Sequence, residues 1–252
     1  MDDYFSRSES LIGAEAMETL RSKKVILFGV GGVGSWCAEA LIRTGLTHLT
    51  IVDGDVVQSS NINRQLPATQ DTIGKPKVEV LRERLLTINP NADIYAVFDF
   101  YETNGETVSA TDLHLEEYDY IIDAIDSVAA KTDLIIRASR VRRVKVYSSM
   151  GAALRFDPTQ VRVAELFDVK GDALAKAVRA RMKRLNLKPS KKIRCVYSSE
   201  QAVRIQNTGH GAQTDSAAAD TAIKGSLMQV TAVFGCTLAS MVVEDIRKRC
   251  EL

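Results

Sequence analysis

The chain has no cysteine pair. Cys37, Cys195, Cys236 and Cys250 stand far apart with no C-x-x-C among them, so neither a structural zinc nor a disulfide framework is indicated and reduced, cytoplasmic thiols are expected. Charge of neither sign dominates. With 33 Lys and Arg against 32 Asp and Glu the formal net charge is +1, and no global field selects a membrane or a nucleic acid as partner. Long hydrophobic runs are missing too: residues 228–243, the longest, carry Gln229, Thr231, Gly235, Thr237 and Ser240 and read as a buried helix, with no membrane partner. The opening MDDYFSRSES lacks the apolar segment of a signal peptide. Histidine is scarce. His48 begins a strand, His114 sits in a connection, and His210 lies in a polar, glycine-bearing stretch where it can approach a substrate. Cys37 follows Trp36 inside a helix, and Cys195 and Cys236 have apolar neighbours, so these thiols read as core groups rather than nucleophiles.

What is present is an ordinary globular composition, 45% hydrophobic and 26% charged over 252 residues, enough for one large domain or two small ones. Its organising stretch is residues 24–55. Val25 to Phe28 form a short apolar run of the kind a strand buried on both faces needs. Gly29, Gly31 and Gly34 follow in the pattern G-x-G-x-x-G, with Gly32 between them; this permits a tight turn, close approach of backbone to phosphate, and a helix packed near its strand. The helix expected from about Gly32 to Arg43 aims its amide groups at that phosphate and ends at Gly45. The next strand runs to Asp53, about twenty residues beyond Gly34, where a carboxylate accepts ribose hydroxyls. Together these residues read as a Rossmann-type nucleotide site.

Along the rest of the chain, a helix is expected over residues 8–21 with Gly13 in its middle and Arg7 just before it. A polar connection, residues 56–77, holds Asn61, Asn63, Arg64 and Gln65 and reads as a site loop. Helical spacing resumes over 75–87. Strands are expected at 94–98, 118–124 and 144–148, with a helix at 128–142, so residues 1–150 spell a doubly wound, mostly parallel α/β sheet. Asp53, Asp123 and Asp126 are then strand-end acids that can converge on one crevice. Residues 151–252 are expected to form a C-terminal α/β extension packed on the same domain: a strand at 160–165, a helix at 173–185, a strand at 193–198, a polar loop at 206–225 and a last helix from about 226 to 249. Residues 173–199 contain nine Lys or Arg and no acid. A second acid-free cluster comprises Arg137, Arg140, Arg142, Arg143 and Lys145. These are either a surface for RNA phosphates, with Lys183, Arg184, Lys191 and Lys192 as the expected contacts, or a solvated helix face.

The crevice argues against hydride transfer. Arg64 and Lys77 supply two fixed cations, Asn61 an amide and Asp126 an oxygen ligand for Mg²⁺, which suits displacement at a nucleoside triphosphate rather than nicotinamide chemistry.

GVGGVGS at 29–35, VDGD at 52–55, NINRQ at 61–65, GKPK at 74–77 and DAIDS at 123–127 closely resemble the ubiquitin-activating and sulfur-carrier-activating, ThiF-like superfamily of ATP-dependent adenylyltransferases. The resemblance implies ATP and Mg²⁺ as cofactors: the glycine turn on phosphate, Asp53 and Asp55 at the nucleotide, Arg64 and Lys77 on the triphosphate, and Asp126 on the metal. It also implies a homodimer in which Arg7 reaches the neighbouring subunit's nucleotide. GVGSWCAEALIRTG, DAIDSVAAK, DPTQ and RCVYSSE narrow the resemblance, over nearly the whole chain, to the tRNA threonylcarbamoyladenosine dehydratases. Those enzymes activate the threonylcarbamoyl carboxylate as an acyl-adenylate and close a ring, releasing AMP and pyrophosphate; the implied partner is tRNA carrying threonylcarbamoyladenosine, with a sulfur-mobilising protein as a further candidate partner. The alternatives are activation of the C-terminal glycine of a ubiquitin-like sulfur carrier, against which the missing C-x-x-C zinc ligands count, and a redox or NAD-sensing Rossmann protein.

Overall fold

A computed structural model describes residues 3–103, 108–109, 113–203 and 225–251. Its strands are β1 Lys24–Phe28, β2 His48–Val52, β3 Asp93–Val97, β4 Glu102–Thr103, β5 Val108–Ser109, β6 Tyr120–Asp123, β7 Lys145–Ser149, β8 Val161–Glu165 and β9 Arg194–Ser198. The helices are α1 Ser6–Ile12, α2 Ala14–Ser22, α3 Gly34–Thr44, α4 Lys77–Ile88, α5 Val128–Arg140, α6 Ala173–Arg184 and α7 Met228–Cys250. The helix expected over 8–21 is divided: Gly13 takes φ 88°, a left-handed conformation that glycine alone adopts freely, and α1 stops where α2 begins. The expected polar loop at 206–225 and His210 fall outside the described residues, Gly225 excepted.

Seven strands form one sheet in the order β3-β2-β1-β6-β7-β9-β8, parallel except that β8 pairs antiparallel to β9. Alternation along β1 explains why helices cover both faces. Val25 and Leu27 pack with α2, α3, α4 and α7, whereas Ile26 and Phe28 pack with α5 and α6, each buried side chain contributing roughly 1.5–3 kcal/mol. The chain builds β2 and β3 on one side of β1 and then crosses to β6 on the other. The carboxyl ends of β1 and β6 therefore part at a topological switch point, where such sheets leave a crevice.

The last helix closes one face of this arrangement. Val230, Phe234, Leu238, Val242 and Ile246 recur every four residues along α7 and are buried, the stripe expected of a core-facing helix. By length and composition α7 could cross a membrane; here it packs on α3. Gly235 permits the contact, since a Cβ at that position would lie 2.4 Å from the Val33 carbonyl oxygen and 2.8 Å from the Cys37 nitrogen. Gly235→Val must push α7 away from the helix that carries the glycine turn. Urea unfolding followed by circular dichroism should show about 1–3 kcal/mol of lost stability; an unchanged midpoint would contradict this packing.

Candidate active site

The glycine turn is shaped by contact between strand and helix. Gly29 follows β1 with φ 85° and donates its N–H to Val52 O at 2.8 Å. A Cβ on Gly34, the first residue of α3, would sit 1.8 Å from Gly29 O, so no other residue fits while the turn keeps this course. Val33 caps α3 without a side-chain hydrogen bond, which leaves amide donors and the positive end of the helix dipole facing the crevice.

Asp53 braces this turn. Its Oδ2 accepts the Val30 N–H at 2.8 Å and its Oδ1 the Asp55 N–H at 2.9 Å, leaving each oxygen one further acceptor position for a ribose hydroxyl. Burial pushes the Asp53 carboxyl above the usual carboxylate range, against the Lys77 charge and the two backbone donors, which pull it down. Lys77, at the start of α4 and nearly buried, places Nζ 2.7 Å from Asp55 Oδ2. The two residues are also joined through their backbones, Lys77 N–H to Asp55 O, which fixes where the ammonium emerges.

The polar connection folds into short 3-10 turns, Ser59–Asn61 and Gln70–Thr72. Asn61 Oδ1 accepts the Gln58 N–H, and Trp36 Nε1–H donates to Arg64 O at 3.1 Å, pinning the loop to α3. Arg64 Nη1 donates to Ser60 O and Asn63 Oδ1 and makes no ion pair among the described residues.

A cleft of about 980 Å³ gathers Gly29, Gly31, Gly32, Asp53, Asp55, Asn61, Arg64, Lys77 and Asp126. Of the residues singled out in the sequence, Gly34 lies beneath the turn as described. Arg7 is exposed on α1 and is not among the residues lining the cleft.

Asp123 corrects the reading of the strand-end acids. It is fully buried and does not open into the crevice. Its Oδ2 accepts Lys131 Nζ at 2.7 Å and Ser148 Oγ at 2.6 Å, and its Oδ1 accepts the Ile125 N–H at 3.1 Å. Lys131, equally buried, also donates to Ser149 O at 2.9 Å. Asp126, on the turn just beyond, is exposed in the cleft and makes no ion pair among the described residues. The structure thus separates the acids into one that holds the floor and one that faces the open cleft.

Several cleft residues carried no recognisable signal in the sequence. Phe100 lies half-exposed over Gly54, and Tyr101 donates its hydroxyl to Asp133 Oδ2 at 2.6 Å. Gln65, by contrast, was expected in the site loop and is buried beside Gly31 with Oε1 unpartnered among the described residues. Arg155, also buried, lines the far flank. Burial pushes the thiols of Cys37, Cys195 and Cys236 up, so none is poised as a thiolate nucleophile. His48 and His114 pair with Asp93 and Glu116 away from the cleft.

The arrangement is that of a nucleotide-binding enzyme site on a doubly wound sheet, and the sequence profile of the ThiF family matches residues 5–250. The chain belongs to the ThiF family. It is 39% identical to the tRNA threonylcarbamoyladenosine dehydratase of Bacillus subtilis (strain 168), over 80% of this chain and 77% of that one. It is 35% identical to the Haemophilus influenzae protein of the same name over 99% and 96%. Among solved structures, the E. coli tRNA N6-threonylcarbamoyladenosine dehydratase in complex with ATP superposes with a TM-score of 0.82 at 31% identity, covering 99% of this chain and 96% of that one.

The buried ion pair generates a prediction. Lys131→Met leaves Asp123 buried without its counter-charge and should cost about 3–5 kcal/mol. The double variant Asp123→Asn with Lys131→Met should recover most of that loss. Equal stability of the single and double variants in chemical denaturation would show that the pair is not coupled.

Proposed function

We propose that the chain catalyses the ATP-dependent dehydration, or cyclisation, of N6-threonylcarbamoyladenosine in tRNA, through an acyl-adenylate. The observation that supports this most is what converges in the cleft: phosphate-facing helix amides, Lys77, Arg64 and the exposed Asp126, with neither a thiolate nor a histidine base among the described residues. A carboxylate is ionised at neutral pH and is already a nucleophile, so its adenylation needs positioning and charge neutralisation more than proton removal. The carboxylate oxygen attacks the α-phosphorus of ATP and the bond to the pyrophosphate breaks. The carbamoyl side of the substrate then attacks the acyl carbon and releases its proton to solvent, the acyl carbon–oxygen bond breaks, AMP leaves with that oxygen and the ring closes, with the net loss of one water. Arg64 and Lys77 neutralise the departing phosphates, and Asp53 holds the ribose from a fixed position.

Asp126 suits Mg²⁺, which binds through one or two carboxylates while phosphates and water fill its other positions. Bound there, the ion would neutralise charge as pyrophosphate departs. Arg7, exposed on α1 and not part of its own chain's cleft lining, is placed to reach a nucleotide in another copy, as a homodimer would allow.

The surface for tRNA is the paired basic cluster. Lys191 Nζ donates to Val141 O at 2.8 Å and also to Val144 O, and Ser190 N–H donates to Ser139 Oγ. These bonds fasten the segment after α6 to the end of α5, so that Arg140, Arg142 and Arg143 share one patch with Lys183, Arg184, Lys188 and Lys192, all exposed. Lys191 is thereby removed from the expected phosphate contacts: its ammonium is spent on carbonyls, and burial pulls its pKa down. Asp172 at the start of α6 lines the cleft while Lys183 and Arg184 close the helix, placing the patch about 16 Å away. One arm of a folded RNA spans that distance. A tRNA substrate and reduced thiols agree with the cytoplasm.

Three measurements test this. Incubation of threonylcarbamoyl-modified tRNA with protein and MgATP should yield a nucleoside lighter by one water, together with AMP; an unchanged nucleoside mass would reject the reading. Asp126→Ala should abolish turnover with an intact circular dichroism spectrum, and near-normal activity would remove it from metal binding. Replacing Lys183, Arg184 and Lys192 with Ala should weaken tRNA binding and flatten its salt dependence by up to about one slope unit for each phosphate no longer neutralised, with MgATP affinity unchanged. Wild-type tRNA affinity at every salt concentration would instead make the patch a solvated face.

A further inference from the structure

Arg155 is 3% exposed, and its Nε and Nη1 have no hydrogen-bond partner among the described residues. Only Nη2 is engaged, with Gly171 O at 3.2 Å. Arg155 makes no ion pair among the described residues, and Asp172, the residue after Gly171, is held by the Gly151 N–H on Oδ2 and the Ala175 N–H on Oδ1. A guanidinium is charged at every working pH, and one withdrawn from water without a counter-ion is strongly destabilising. The residue lines the same cleft as the glycine turn. The backbone that presents it is also unusual. Leu154 holds φ 61°, a conformation costly for a residue with a branched side chain, and is clamped there by Leu154 N–H to Gly225 O and Val203 N–H to Leu154 O.

Position indicates what the cation is for. Arg155 follows β7, while the glycine turn follows β1, and β6 lies between them; two strand spacings amount to about 10 Å. Asp55 and Lys77, joined as a pair, and Arg64 come from the elements that follow β2 on the opposite side of the glycine turn. In displacement at phosphorus the attacking and leaving oxygens stand roughly in line. If pyrophosphate departs toward Lys77 and Arg64, the attacking group enters from the flank of β6 and β7, and there the cleft is lined by Arg155, which makes no ion pair among the described residues.

We propose that Arg155 is the specificity-determining residue of this site, receiving the carboxylate of the acyl substrate on its unpaired Nε–H donor and presenting it to the α-phosphorus. The assignment rests on the adenylation reading above. It predicts that the site distinguishes a carboxylate from an uncharged isostere before any chemistry takes place, because a neutral amide leaves the buried charge uncompensated.

The test uses an anticodon stem-loop RNA carrying threonylcarbamoyladenosine, and the same RNA with the carboxylate converted to a carboxamide, each bound in the presence of a non-hydrolysable ATP analogue. Wild-type protein is expected to prefer the carboxylate form by on the order of 10- to 100-fold, the range of a hydrogen bond to a charged group. Arg155→Gln should reduce that preference to within about threefold, with affinity for the ATP analogue unchanged. A full preference retained in the glutamine variant overturns the proposal. Should Arg155→Gln not fold, the arginine Nε–H resonance that Arg155→Lys removes reports on the wild type. It should shift on adding the carboxylate RNA and stay in place with the carboxamide; equal response to both overturns the assignment. Wild-type protein that never dehydrates the modified RNA with MgATP would instead reject the adenylation reading itself.

Discussion

Lys131 reaches from α5 to the carboxylate of Asp123 with neither side chain exposed, and the floor of the cleft hangs on that contact. Each ion withdrawn from water costs several kcal/mol, and attraction offsets this only when the remaining donors and acceptors are satisfied. Here they are satisfied locally: Ser148 Oγ and the Ile125 N–H complete the carboxylate, and Ser149 O completes the ammonium. The partners belong to β6, β7, α5 and the turn that bears Asp126. A change in the spacing of any one would leave a charge unpaired, so the ion pair fixes the turn beyond β6 relative to the loop beyond β7. The expensive interaction sits where the two halves of the cleft must keep register.

On that floor the chemistry needs little covalent help. The helix amides beyond the glycine turn, Lys77 and Arg64 supply positive potential, and Asp53 and Asp55 are held by backbone and ammonium before any ligand arrives. Preorganised dipoles and charges of this kind lower a phosphoryl-transfer barrier without reorganising during reaction. Raised thiol pKa values at Cys37, Cys195 and Cys236 fit a reaction in which the activated acyl group goes to its own substrate rather than to a cysteine. On the proposed reading the basic patch and the cleft are separate devices, one for RNA phosphates and one for the reacting centre.

The sequence made the local features readable. Strand β1, the glycine turn, α3 and Asp53 are consecutive, and each residue's role follows from neighbours in the chain; the doubly wound, mostly parallel class of sheet follows from the alternation of strands and helices. Features that need distant contacts were hidden. Asp123 and Asp126 look alike as strand-end acids, and only pairing with Lys131 eight residues on and Ser148 on another strand sends one inward. Lys191 looked like its basic neighbours until the carbonyls of Val141 and Val144 claimed it. Gly13 could bend a helix or end one, and the left-handed φ decides. Arg155 carries no motif at all: its interest arises from burial and from missing partners, neither of which is written in residue order.

On the proposed reading, the cleft joins a substrate carboxylate to the α-phosphorus of ATP. Oxygen-18 placed in the threonylcarbamoyl carboxylate follows that bond, because ring closure breaks the acyl carbon–oxygen bond and leaves the labelled oxygen on phosphate. Mass spectrometry of the released AMP should find one labelled oxygen per labelled carboxylate consumed through that oxygen. Unlabelled AMP formed alongside the dehydrated nucleoside would contradict an acyl-adenylate and the reading of the cleft built on it.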